Sequence, residues 1–226
     1  MQLNLASLSV REVNQFLHHE LPNSGAERIE ILNPDGLHSI AVGLDCDAEI
    51  DILGHAGYFI AGMNKQARVT VHGNVGWSVA ENIMSGSVRV KGHASECAGS
   101  SGHGGLLVIE GDASSRCGVS MKGSDIVVGG SVGHFSAFMA QAGTLVVCGD
   151  AGANLGDSLY EATIYVRGNI HSLGADAQLS EMEPTDFEKL SQLLADAKMG
   201  FSAKEFKRVS SARNLYHWNA DAHQEY

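Results

Sequence analysis

No run of about 20 apolar residues, the length a helix needs to cross a bilayer, occurs anywhere in this chain, so no membrane span is expected. Cations are scarce: 15 Lys and Arg stand against 26 Asp and Glu, a formal charge of −11. The acidic excess is spread along the chain rather than held in a tail. Nucleic acids and anionic membrane surfaces both need a basic face, so neither is expected as a partner. Cysteine is limited to Cys46, Cys97, Cys117 and Cys148, with no C-x-x-C pair. That usage fits free thiols in a reducing cytosol, not a disulfide framework. No apolar segment follows a basic N-terminal stretch, so no signal peptide is expected and the expected location is cytoplasmic. Proline is rare too, with 3 residues against 27 glycines. What the chain does have is 44% hydrophobic residues in 226, which argues against disorder and suffices for a sizeable core.

The glycines are periodic. Triplets of apolar residue, any residue and glycine end at Gly54, Gly73, Gly92, Gly111, Gly130, Gly149 and Gly168, and every interval is 19 residues. Two residues before the apolar member of each triplet stand Ile50, Val69, Val88, Leu107, Ile126, Leu145 and Ile164, which gives the period-2 alternation of a strand with a buried face. The residue after each glycine is polar: His55, Asn74, His93, Asp112, Ser131, Asp150, Asn169. A further column is always small: Ala67, Gly86, Gly105, Ser124, Gly143, Ala162. This period is too short for two-helix repeats, and the fixed pattern of leucine-rich repeats is missing. It suits one turn of a right-handed parallel β-helix, an all-β fold. The glycines would sit at corners, where a positive φ or close backbone approach excludes bulk. Rungs stacked at the strand spacing would make a rod roughly 29 Å long.

A solenoid needs caps at its open ends. Residues 1–47 read as an N-terminal cap. There Ser9-x-x-Glu12 forms a capping box ahead of Val10, Val13, Phe16 and Leu17 at helical spacing, and Pro34-Asp35-Gly36 marks the turn of a hairpin between 28–33 and 37–44. Residues 48–179 form the β-helix. Residues 180–226 read as a helical cap and tail, with capping boxes at Thr185-x-x-Glu188 and Ser202-x-x-Glu205, a helix end at Gly200, and a polar, aromatic tail through Tyr216-His217-Trp218.

Few residues point to chemistry. "GHGGLLVIEG" (102–111) looks like a phosphate cradle, but the Lys-Ser/Thr of a P-loop and the G-x-G-x-x-G dinucleotide fingerprint are both missing. His55 and His93 share a column two rungs apart, about 10 Å at the strand spacing, so only long side-chain reach would let them share a zinc ion. They read as part of a solvated polar ladder. His18 and His19 fall late in a helix, where a cation suits the dipole. Cys97 and Cys117, one rung and one residue apart, read as buried neighbours. Met63, Met84, Met121 and Met139, with Tyr58, Phe59, Phe135 and Phe138, read first as core filling; the other reading is an apolar docking face. His103, His134 and Arg116, with Glu81, Asn82, Lys122 and Asp157, lie in corner regions and are candidates for partner contact. No grouping of these residues reads as catalytic, and no metal or cofactor site is expected in this chain.

With the rungs aligned, "GDASSRCGVSMKGSDIVVGGSVGHFSAFMAQAGTLVVCGDAG" (111–152) resembles the G-x-G-x-G β-helix domain that closes the large subunit of glutamate synthase, a module that formylmethanofuran dehydrogenase also contains. The flanks "VREVNQFLHHEL", "AGMNKQARVTVHGNVG", "AENIMSGSVRVKG" and "FKRVSSARNLYHWN" extend the likeness to the stand-alone form of this domain, a component of glutamate synthase-like assemblies such as N-methylglutamate synthase of methylamine metabolism. The resemblance implies a non-catalytic scaffold in a hetero-oligomeric oxidoreductase or transferase complex. Its partners would be a glutamine amidotransferase-like subunit and a glutamate synthase-like subunit that carries FMN and an Fe–S cluster. The alternative is the β-helix subunit of a formylmethanofuran dehydrogenase-like complex.

Overall fold

In the computed structural model, described over residues 1–214, the chain winds into a parallel β-helix. The strands are β1 (Gln2–Asn4), β2 (Arg28–Leu32), β3 (Glu49–Leu53), β4 (Arg68–Val71), β5 (Ser87–Val90), β6 (Leu106–Ile109), β7 (Lys122–Val128), β8 (Ala142–Val147), β9 (Thr163–Val166), β10 (Ala177–Ser180) and β11 (Lys207–Ser211). They form one sheet in the order β1 to β9, then β11, then β10. From β3 to β9 the period read from the sequence is the pairing register: Glu49 lies beside Arg68, Val69 beside Val88, Leu107 beside Ile126 and Leu145 beside Ile164. Alternation sends these aliphatic columns inward, where they are buried to 1% exposure or less. A second side of the rod is a ladder of single parallel bridges running Ala56, Val75, Ala94, Ala113, Val132, Ala151, Ile170.

The seven glycine markers stand at the corner between these two sides. Close approach, rather than a left-handed backbone, excludes a side chain there. Apart from Gly54, at φ +146°, none of the seven has a positive φ. A Cβ on Gly73 would lie 2.6 Å from the carbonyl carbon and oxygen of Gly54 on the rung below. Beside the glycines, the polar column forms a hydrogen-bonded ladder. The N–H of Asn74 donates to His55 Nδ1 at 2.9 Å, that of His93 to Asn74 Oδ1 at 2.9 Å, and that of Asp112 to His93 Nδ1 at 2.9 Å. The series continues through Ser131, Asp150 and Asn169. Both histidines therefore accept through an unprotonated Nδ1.

The N-terminal cap differs from the expected hairpin. β2 pairs in parallel with β3, Arg28 beside Glu49, so residues 28–48 form a further rung, two residues longer than the period. The Pro34-Asp35-Gly36 turn bends the chain around a corner instead of reversing it. The open end is plugged by α1 (Val10–Gln15), a π-helical turn (Phe16–Glu20) and α2 (Leu21–Ser24), which bury Val13, Leu17 and Leu21. The Ser9–Glu12 capping box forms as read. Asn14 bonds the exposed rung edge at both ends of its amide, donating to Ser39 O and accepting from Ala41 N–H, and His18 Nε2 lies 2.8 Å from Val42 O. His18 thus stands in the last turn of the π-helical segment, as read, and also caps a rung carbonyl.

The C-terminal segment also departs from an end cap. β11 adds antiparallel to β9 and closes the last rung, with β10 beyond it. The helix α3 (Pro184–Asp196) lies along the outer face of the sheet. Leu190, Leu193, Leu194 and Ala197 pack there with Val108, Val127, Val146 and Tyr165. Tyr165 donates its hydroxyl to Asp186, and Arg89 reaches the last carbonyls of the helix, Ala197 O at 3.1 Å and Asp196 O at 3.3 Å. The capping box of α3 is Glu183 with Asp186, not Thr185 with Glu188, because Pro184 fixes the first helical residue. Lys198, at φ +59°, takes the left-handed position after the helix, and Gly200 lies beyond it. The Ser202–Glu205 box forms over a single 3-10 turn (Ala203–Glu205). The tail residues Tyr216, His217 and Trp218 lie outside the described residues.

Candidate functional site

The third side of the rod is built unlike the other two. In every rung it places three residues with positive φ at alternate positions: Phe59, Ala61 and Met63; Ser78, Ala80 and Asn82; Cys97, Gly99 and Ser101; Arg116, Gly118 and Ser120; Phe135, Ala137 and Met139. A left-handed backbone costs a non-glycine residue about 1–2 kcal/mol, most of all when it is β-branched. No Val, Ile or Thr occurs among the left-handed residues described. Ladder bonds offset the strain, and they alternate in direction. Phe59 N–H donates to Trp77 O on the next rung, Ala61 N–H to Ile40 O on the previous one, and Met63 N–H to Glu81 O on the next. The middle column, Ala61, Ala80, Gly99, Gly118 and Ala137, is buried against the core and small throughout.

This left-handed face presents an apolar surface at its N-terminal end. Trp77 is 62% exposed and Tyr58 49%, one rung apart in the same column. His38 stacks on Tyr58 with ring centroids 3.7 Å apart. These rings, with Phe59 and a floor of Gly57 and Gly76, line a groove of about 730 Å³. Met63 and Met84 are exposed beyond it. Further along, Glu96, Arg116 and Glu81 surround Cys97. Burial first, then Glu96 and more weakly Glu81, push its thiol pKa up against the opposing pull of Arg116. Cys117, buried on the adjacent rung, is pushed up to about 12 by burial, with Cys97 adding to it. Neither thiol is tuned as a nucleophile.

The three candidate contact residues do not form one cluster. Arg116 and His134 are exposed neighbours on this face, where Arg116 N–H donates to His134 O at 3.0 Å. The His134 ring stands edge-on to Phe135, which stands edge-on to Phe138. His103 is exposed in a different column, its N–H bonded to Ile83 O. Asp157 is occupied structurally, accepting from Ala175 N–H and the Ser158 hydroxyl. Of the four methionines read as core, only Met121 is fully buried, while Met139 is half-buried and Met63 and Met84 face solvent. Trp77 carries no motif that marks it in the sequence; its one signal is that it stands one period after Tyr58. Among the described residues, no three His, Cys, Asp or Glu side chains are grouped to hold a metal ion.

Three comparisons with known proteins bear on this geometry. No family model matches the chain, and no solved structure matches it. One curated protein, Protein GlxC of Rhizobium meliloti (strain 1021), is 53% identical over 221 residues, which cover 97% of this chain and 96% of that protein. The chain belongs to the same family as Protein GlxC.

Proposed function

We propose that this member of the GlxC family is a structural subunit of a glutamate synthase-like complex, and most specifically of an N-methylglutamate synthase. It would hold a glutamine amidotransferase-like subunit and an FMN- and Fe–S-bearing synthase-like subunit in fixed relation, and the chemistry would belong to those partners. The observation that carries this reading is the three-sided ladder. Sheet, single-bridge ladder and left-handed ladder share one period, so each rung is tied to the next on every side. Such a rod behaves as a stiff spacer, and active sites that exchange an intermediate need a rigid support. The glycine columns that carry the resemblance to glutamate synthase are the same ones that let the rungs stack. His103, exposed and outside the lining of the aromatic groove, is offered to one of the partners.

Affinity purification of the tagged chain from its native host tests this. An amidotransferase-like chain and a flavoprotein should co-elute in fixed ratio under mild salt. Elution of the chain without either overturns the reading.

A further inference from the structure

The left-handed face is self-complementary about one point. Two adjacent columns run along it. The first reads Tyr58, Trp77, Glu96, Ser115, His134, and the second, one residue on, reads Phe59, Ser78, Cys97, Arg116, Phe135. Their register is fixed by ladder bonds: Ser78 N–H donates to Glu96 O, Cys97 N–H to Ser115 O, and Arg116 N–H to His134 O. Glu96 and Arg116 thus sit diagonally on adjacent rungs, about 4.8 Å apart along the rod. Neither appears in an ion pair among the described residues.

We propose that this face pairs with the same face of a second copy of the chain, with the rods antiparallel and a two-fold axis passing between Glu96 and Arg116. A two-fold interface must match a patch to itself, and this one does so rung by rung. An axis in the plane between the two faces, perpendicular to the rods, sets the Glu96 rung opposite the second copy's Arg116 rung, so Glu96 lies one column from its Arg116 and, by symmetry, Arg116 one column from its Glu96. It brings Trp77, the most exposed of the large rings on this face, over His134 of the second copy and beside its Phe135, and Ser78 over its Phe135. Two opposite-charge pairs then lie at the centre, flanked on each side by an aromatic pair. Parallel rods would instead set each rung against itself, the Glu96 rung on the Glu96 rung. The matched rungs, from that of Tyr58 to that of Asn154, span about 24 Å, and large aromatic side chains with arginine are the residues that dominate association energies. The bridged, polar-ladder side stays free for other proteins.

Sedimentation equilibrium of the purified chain is the test, with circular dichroism and thermal melts confirming that each variant folds. The wild type should be a reversible dimer. Trp77→Ala should weaken it at least about tenfold. Glu96→Arg alone and Arg116→Glu alone should each weaken it by a similar factor, because each sets two like-charge pairs at the axis. The double variant Glu96→Arg/Arg116→Glu should recover most of the lost affinity. A monomeric wild type, single reversals without effect, or a double variant no better than the singles each overturns the proposal. So does a wild type that stays monomeric while Trp77→Ala loses binding to a co-purifying protein, because a different chain then covers the face.

Discussion

At the residue scale, Gly73 shows what the period enforces. Its missing Cβ would meet the Gly54 carbonyl on the rung below, and backbone lies on both sides of the clash, so neither partner can swing away. Gly73→Ala should therefore cost about 3 kcal/mol, at the upper end for overpacking, read as a lower midpoint in urea. Gly200 is the matched control: no atom lies within 4 Å of the Cβ it would gain, and its φ is not positive. Gly200→Ala should change stability by less than about 0.5 kcal/mol. The marker glycines are legible in the sequence because steric exclusion leaves one residue type. The left-handed positions are not. Ser78, Asn82, Cys97 and Arg116 share a backbone conformation but no side-chain chemistry, and what unites them is only the missing β-branched types.

At the scale of elements, the sequence holds a signal about α3 that periodicity alone does not expose. Strands β3 to β5 alternate, with Asp51, Thr70 and Arg89 facing out, whereas in β6 to β9 the same outward column is apolar or aromatic, Val108, Val127, Val146 and Tyr165. Loss of alternation over four consecutive rungs means that something covers them, and the amphipathic stretch after residue 183 is what does so. The expected hairpin fails for the opposite reason. A strong local turn signal at Pro34-Asp35-Gly36 outweighs a rung whose length departs from the period by two residues. Because α3 is held by apolar contact, Leu190→Ala should cost about 2–4 kcal/mol, as large-to-small core changes do. Amide exchange should then rise in α3 while the amides of β3 and β4, which it does not cover, keep their protection.

At the scale of the whole molecule, stability is a sum over rungs and the contacts between them. Deleting residues 68–86, one full period, joins Ala67 to Ser87 with every column still in register and leaves the surface under α3 intact. That variant should fold and unfold cooperatively, with a lower melting temperature. Deleting 68–76, half a period, strands the remainder of a rung with no corner to occupy, and should give a chain without cooperative unfolding by calorimetry. The polar ladder has a further consequence. All of its bonds run one way: the acceptor always belongs to the earlier rung and the donor N–H to the later one. On the ribosome, the helices that plug the first rung emerge before the rung they plug, and each later turn then arrives at a row of acceptors already in place. Order of synthesis and order of assembly coincide, so a half-made chain shorter than the full rod is still a finished rod up to its last complete turn.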